Sequence, residues 1–271
     1  MSFKSSIKEL AFKNHILMER LNSTNQVHSF LERFREKYVA TELVRIGGNG
    51  DGGYLFPKCL DEIDYCFSPG VDVVANFEDE ISKRYGIKSF MADASVSSPP
   101  LINSDFEFIP KFLGSRTHDN FITLSDWMNQ SNIKIESKKI LQMDIEGAEY
   151  DVLSYESSET ISRFSVMNIE FHGLQNIFEK NFLVMLTAIF EKIYSNFSIC
   201  HVHPNNCLPI VELDGVEIPP VIEITFIHND MVNKLKTSEN IILPHKLDRK
   251  NVQENEDIKM PKIWWHKLSN S

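Results

Sequence analysis

The chain has 271 residues, 42% of them apolar, which is enough to bury a sizeable core and excludes disorder of the whole. Its formal charge of −10, from 38 acidic against 28 basic residues, argues against a general nucleic-acid or anionic-membrane surface and leaves only local patches open. No apolar run reaches the roughly 18 residues of a bilayer span, and Met1-Ser-Phe-Lys4 lacks the apolar core of a signal peptide. Cys59, Cys66, Cys200 and Cys207 form no dense framework, so the expected setting is a reducing cytoplasm.

The first 42 residues read as a helical extension. Val27, Phe30, Leu31, Phe34 and Tyr38 recur at three- and four-residue spacing against Glu32, Arg33, Arg35, Glu36 and Lys37, so one helix carries an apolar stripe. That stripe covers either the main domain or a second subunit, which makes a homo-oligomer through these helices one expectation. An earlier helix through Ile7, Leu10, Leu17 and Leu21 ends at the break from Asn22 to Asn25.

The main domain is placed at 43–230. It opens with five of the chain's eleven glycines in the seven residues from Gly47 to Gly53. Such density fits a tight hairpin between Val44–Ile46 and Tyr54–Phe56, or a loop that lays its backbone on a ligand with Arg45, Asp51 or Tyr54 facing it. No Gly-Lys-Ser/Thr follows, so this is not a phosphate loop.

Next come a strand from Asp64, the turn Ser68-Pro69-Gly70, a helix from Asn76 stopped by Gly86, and a strand from Ile87 to Asp93. This is the layout by which α/β nucleotide sites hold a ligand at the first turn and ribose hydroxyls on the following acid. The turn departs from Gly-x-Gly-x-x-Gly, so a dinucleotide is not supported, and Asp93 reads either as a ribose acid or as a helix N-cap. Phe106–Pro110 reads as a third strand and Leu124–Met128 as a helix.

The run Ile140, Leu141, Met143 reads as a buried fourth strand closed by Asp144, with Gly147 marking close backbone approach. Glu146 and Glu149 then fall at the N-terminus of a helix, where negative charge is favoured for capping reasons alone. Phe164–Gly173 is a fifth strand, followed by a helix through Phe182, Leu186, Ile189, Phe190 and Ile193. Phe197–Asn206 and Val221–His228 complete seven strands; no helix pattern separates the last two, so they are expected to pair antiparallel. The tail, 231–271, is charged and weakly periodic, with Trp264 and Trp265 near its end, and is expected to pack on the domain or to be partly disordered.

With these residues in view, the chain from Arg45 to about His228 resembles the FkbM-type family of S-adenosylmethionine-dependent methyltransferases. Met143-Asp-Ile-Glu-Gly-Ala-Glu149 is similar to that family's Asp-x-Glu-Gly-x-Glu signature, and Arg45 to Tyr54 is similar to the upstream signature of one branch. His201-Val-His-Pro-Asn-Asn206 and Pro220-Val-Ile-Glu223 resemble that branch's late motifs. The resemblance implies a seven-stranded Rossmann-like sheet of order 3-2-1-4-5-7-6, S-adenosylmethionine as cofactor, and methyl transfer to a hydroxyl of a sugar, glycolipid or polyketide. It places Arg45, Gly48, Asp51, Tyr54, Ser68, Gly70, Asp93 and Asp144 at the cofactor.

Methyl transfer from a sulfonium is an in-line displacement, so the protein must align donor and acceptor and help remove the hydroxyl proton. Glu170 and His172 lie two apart on a strand and share a face beside Asp144. His172 is the expected base, with Glu170 or Asp144 orienting the acceptor, and its bland alternative is a hydrogen-bonded strand-end histidine. Glu146, His201, His203 and Asn205 are expected on the small-molecule or glycan substrate. A divalent metal on Asp144, Glu170 and His172, with His201 and His203, is possible but not favoured, because these residues come from separated strands. A zinc site using Cys200 and Cys207 is less favoured still. The rival readings are a metal-dependent hydrolase on the same acids and imidazoles, and a binding domain without turnover.

Overall fold

Seven short apolar runs lie side by side in one sheet in the computed structural model, which describes residues 3–16, 18–71, 75–99, 101, 103–235 and 241–266. The amino-terminal half contains α1 (Phe3–Lys13), α2 (Thr24–Glu36), β1 (Leu43–Gly47), β2 (Gly53–Pro57), β3 (Tyr65–Pro69), α3 (Asn76–Tyr85), β4 (Lys88–Ala92) and β5 (Phe106–Ile109). Two-residue strands β6 (Phe112–Leu113) and β7 (Phe121–Ile122) lead to α4 (Leu124–Gln130), β8 (Lys139–Met143), α5 (Glu149–Tyr155) and α6 (Ser158–Ser162). There follow β9 (Val166–Phe171), α7 (Lys180–Tyr194), β10 (Phe197–Pro204), the small pair β11 (Val211–Leu213) and β12 (Val216–Ile218), β13 (Ile222–His228) and α8 (Asn229–Val232). The large sheet runs β5-β4-β3-β8-β9-β13-β10, parallel except for β13, which is antiparallel to both neighbours. Only the short β11–β12 hairpin joins β10 to β13, and a connection without a crossover element returns the chain antiparallel.

The central strands β8 and β9 are buried along their whole length, so side chains alternate between two covered faces. Phe67, Leu141, Met167 and Phe226 belong to the core shared with α2, α5 and α7. Cys66, Ile140, Val166 and Ile227 pack instead with Leu55 and Phe56 of the β1–β2 hairpin and with Phe77 and Ile81 of α3. Towards the carboxyl ends of the strands this second face turns polar. Gln142, Asn168, Glu170, Glu223, Thr225 and His203 are all buried there, and Glu170, Glu223 and His203 sit opposite one another across β9, β13 and β10. Asn168 Nδ2 donates to Thr225 Oγ1 (2.9 Å), which donates to Leu55 O of the hairpin (2.8 Å), so the hairpin roofs a hydrogen-bonded polar layer.

The apolar stripe of α2 is used within the chain. Phe30 and Phe34 pack on Phe190 of α7 and Phe34 meets Trp264 edge-on at 5.3 Å, so the main-domain alternative holds for the α2 stripe. Ile7, Leu10 and Phe12 of α1 are exposed, whereas Leu17 lies outside the described residues. Among the described residues no helix is long and apolar enough to cross a membrane.

The described part of the tail crosses the β10 edge. Trp264 Nε1 donates to Glu217 O (3.1 Å), Arg35 donates to Ile263 O, and Asp248 sits 2.9 Å from His201 Nε2 and 3.8 Å from His203 Nδ1. Burial works to raise the Asp248 carboxyl, but the two imidazoles outweigh it and hold it well below the usual carboxylate range. For His203, burial works downward and Asp248 with Glu223 outweighs it, so its pKa is raised. Asp248 therefore contributes stability above its unfolded pKa of about 4 and loses it as pH falls, while His203 contributes below about 6.5 and loses it as pH rises through its lifted value. The tail should be held best between about pH 4 and 6.5. Asp248→Ala is expected to cost about 1–3 kcal/mol and several degrees of melting temperature, and to flatten this pH profile; melts from pH 3 to 8 with limited proteolysis of the tail check it.

Candidate functional site

Where β3, β4 and β8 end, the chain leaves a cavity of about 440 Å³, lined by Asp51, Tyr54, Gly70, Asp93, Asp144 and Glu146 among others. Gly70 makes the cavity's shape possible. It turns at φ 83°, and a Cβ there would lie 1.6 Å from the Asp144 carbonyl oxygen, so only glycine lets the turn after β3 pass under the end of β8. Asp93 closes β4, is 5% exposed, and accepts from the backbone N and Oγ of Ser95 at 2.7 and 2.6 Å. It caps a turn, and among the described residues no helix lies between it and β5.

Ser68 does not reach the cavity. It is wholly buried beneath it, bonded to Glu78 and, at 2.6 Å, to Gln142 Oε1, whose Nε2 donates to Tyr54 Oη (3.1 Å). Alternation along β3 turns its side chain into the polar layer, where it supports Gln142 and Tyr54, which do line the cavity. The glycine stretch divides in two. Asp51, Gly52 and Tyr54 line the cavity, but Arg45 Nε and Nη2 donate to Gly48 O (2.9 Å) and Gly50 O (3.0 Å), and a Cβ on Gly53 would lie 2.1 Å from Gly48 O. Arg45 and Gly48 thus serve the hairpin turn itself and are not among the residues that line the cavity.

Beside the cavity, β8 and β9 bring Asp144, Glu170 and His172 together. His172 Nε2 lies 3.8 Å from Asp144 Oδ1, 3.6 Å from Glu170 Oε1 and 3.5 Å from Glu146 Oε2. Burial pushes the Asp144 carboxyl up to about 7 against the pull of His172. Glu170 is likewise raised, by burial first and then by the neighbouring Asp144 and Glu223 carboxyls. For His172, burial works downward, but Glu149 foremost, then Asp144 and Glu146, lift it above its ordinary value. Asn205 Nδ2 donates to Glu170 Oε1 at 2.9 Å, so Asn205 positions a site carboxyl from the end of β10.

Glu149, by its spacing a helix-end charge, has a larger part in the fold. It is fully buried, and its two oxygens accept from Gly147 N (2.8 Å) and His172 N (2.7 Å), with His172 Nδ1 a further 3.5 Å away. It therefore fastens the β8–α5 turn to the end of β9 and faces the imidazole. Its signal in sequence was its place as the last acid of Asp-x-Glu-Gly-x-Glu. Glu146 differs from expectation: α5 begins only at Glu149, and Glu146 sits at φ 54° in the preceding turn with its carboxylate exposed on the cavity rim. His201 and His203 are not on the cavity. The tail covers them, which only a long-range contact with Asp248 and Asn251 could reveal.

A family model described as the methyltransferase FkbM domain matches residues 74–234. The chain belongs to that family. The match runs from just before α3 to α8, taking in six of the seven strands of the large sheet, and leaves α1, α2, the glycine hairpin, β3 and the tail outside it. No curated protein matches the chain. Among solved structures, the 16S rRNA (adenine(1408)-N(1))-methyltransferase from Catenulisporales acidiphilia is 7% identical over 69% of this chain and 98% of its own, at a TM-score of 0.31. Precorrin-6y C5,15-methyltransferase from Geobacter metallireducens GS-15 is 8% identical over 78% and 92%, at 0.33. The Methanococcus jannaschii fibrillarin pre-rRNA processing protein is 7% identical over 69% and 82%, at 0.36. These likenesses are too remote to bear on substrate.

In this FkbM-family chain the Glu149 carboxylate is what opposes the desolvation of His172. Glu149→Gln keeps one acceptor oxygen for the backbone N–H of His172, loses the one that meets Gly147 N, and removes the charge, so the His172 pKa should fall from its raised value. An NMR titration of the His172 ring proton against pH checks it, and an unchanged pKa would show that Asp144 and Glu146 suffice.

Proposed function

We propose that the protein transfers a methyl group from S-adenosylmethionine to a hydroxyl of a sugar or glycan precursor in the cytoplasm. The observation that carries this reading is the adjacency of two features. One is a cavity at the ends of β3, β4 and β8 with a glycine turn at one wall and Asp93 at another; the other is the Asp144, Glu170 and His172 group at its edge. The cofactor would occupy the cavity with its ribose on Asp93 and its amino-acid end towards Gly70, Asp51 and Tyr54. Family membership supports methyl transfer. The exposed Glu146 carboxylate on the rim supports a polyhydroxyl acceptor, since carboxylates accept hydrogen bonds from hydroxyls. Four free cysteines agree with a reducing compartment.

The acceptor oxygen attacks the methyl carbon in line with the sulfur. An O–CH₃ bond forms, the S–CH₃ bond breaks, its electron pair stays on sulfur as a neutral thioether, and the hydroxyl proton passes to His172 Nε2. Glu149 holds the imidazole from its Nδ1 side, and Asp144 or Glu170 orients the acceptor.

Two measurements test this. Asp93→Ala should weaken S-adenosylhomocysteine binding by about 2–4 kcal/mol in calorimetry, through loss of two hydrogen bonds to a charged acceptor. Wild-type affinity in the variant would remove Asp93 from the site, and no binding to the wild type would remove the whole reading. His172→Ala should cost roughly 10²–10⁴ in single-turnover rate at matched cofactor occupancy. His203→Ala, whose imidazole is buried under the tail, should lower the melting temperature and leave that rate within a few-fold.

A further inference from the structure

Asp144 and Glu170 come from strands far apart in sequence, and that separation was the objection to a shared ion. The sheet removes it. β8 and β9 are neighbours, and one donor atom from each of Asp144, Glu170 and His172 falls within 4.8 Å of the others. We propose that these three side chains form a binding site for one divalent cation of the Mg²⁺ or Mn²⁺ kind.

The spacing is the first argument. His172 Nε2 stands 3.8 Å from Asp144 Oδ1 and 3.6 Å from Glu170 Oε1, too far for hydrogen bonds between them. Donors about 2.1 Å from one ion and roughly 90–120° apart lie about 3.0–3.6 Å from each other, so the observed distances need only small adjustments to hold an ion. The second argument is satisfaction. Asp144 Oδ1 and Glu170 Oε2 are buried without a hydrogen-bond partner, and Glu170 is only 3% exposed. Bare buried carboxylate oxygens are costly unless something positive meets them.

The surroundings complete the pattern. Metal-bound imidazoles commonly face a carboxylate through their second nitrogen, and ligand carboxylates are themselves hydrogen-bonded. Here Glu149 faces His172 Nδ1 and Asn205 holds Glu170. Asp144 also lines the cavity, so open coordination positions would face the bound acceptor. Two carboxylates and one imidazole, with no thiolate in the group, suit an ion that accepts oxygen and nitrogen.

The consequence for chemistry, though not the site itself, rests on the methyl-transfer reading. With the ion bound, an acceptor hydroxyl on it would be acidified and would give its proton to the exposed Glu146 carboxylate at the rim as its oxygen takes the methyl and the S–CH₃ bond breaks; His172 would then be a ligand, and the proton transfer to its Nε2 described above belongs to the ion-free site.

The test uses the full chain, stripped with chelator and titrated with MnCl₂, with free Mn²⁺ read by its electron paramagnetic resonance signal and heat by calorimetry. One ion per chain is expected. Asp144→Asn and Glu170→Gln should each weaken uptake at least tenfold, and His172→Gln gives a third variant at a less buried position should either fail to fold. Asp93→Asn should bind Mn²⁺ like the wild type while losing affinity for S-adenosylhomocysteine. No uptake by the wild type at millimolar Mn²⁺, or uptake indifferent to all three ligand substitutions, overturns the proposal. Mn²⁺ uptake without any binding of S-adenosylhomocysteine would leave the ion site standing and bring down the methyl-transfer reading instead.

Discussion

The close pass of Gly70 beneath the Asp144 carbonyl is the constraint on which the site depends. With no room for a Cβ between them, the turn after β3 and the end of β8 are held at a fixed separation, and the cavity opens directly above. Everything that faces the cavity inherits that geometry. Asp144 leaves β8 at that contact, Asp93 ends the strand on the far side of β3, and Glu149 then ties the β8 turn to β9 by taking the N–H of His172. A substitution at Gly70 would displace all three groups together, although its own side chain does no chemistry.

The polar layer under the hairpin is where this fold carries its largest electrostatic burden. Glu78, Asp144, Glu170 and Glu223 are all raised, each by burial first. A domain whose stability is only about 5–15 kcal/mol does not accumulate such groups for stability's sake. Hydrogen bonds offset part of the cost: Ser68 for Glu78, Asn205 for Glu170, Asn251 for Glu223. The groups left least satisfied, Asp144 and Glu170, meet beside His172 at the cavity's edge, which is where ligand or ion can supply what the protein does not.

Much of the sheet was legible because its strands obey a short-range rule. Ile140 to Met143 and Val166 to Phe171 are apolar runs of strand length, each ended by an acid or imidazole, and such runs announce themselves without any knowledge of partners. The same locality limits what a motif can say. Ser68 and Arg45 stand in motifs, yet their partners, Gln142 at 2.6 Å and the Gly48 carbonyl at 2.9 Å, are set by strand alternation and hairpin closure. From sequence His201 and His203 are expected on the substrate, because the residues that meet them, Asp248 and Asn251, lie more than forty positions later in a weakly periodic segment.

That late segment also explains why the hairpin is where it is. Asn251 Nδ2 donates to Glu223 Oε1 at 2.6 Å and reaches Asp51 Oδ1 at 3.5 Å, while its Oδ1 meets His203 Nε2 at 3.2 Å. One amide thus joins the last strand pair to the glycine loop that walls the cavity. The hairpin is roofed from the sheet side by Thr225 and pinned from the tail side by Asn251, so Asp51 and Tyr54 are held between two anchors that are far apart in sequence. A loop of five glycines has little preference of its own for any one shape. Its order is supplied by these contacts, and loosening the tail would therefore be felt first at the cavity wall and only later in the sheet.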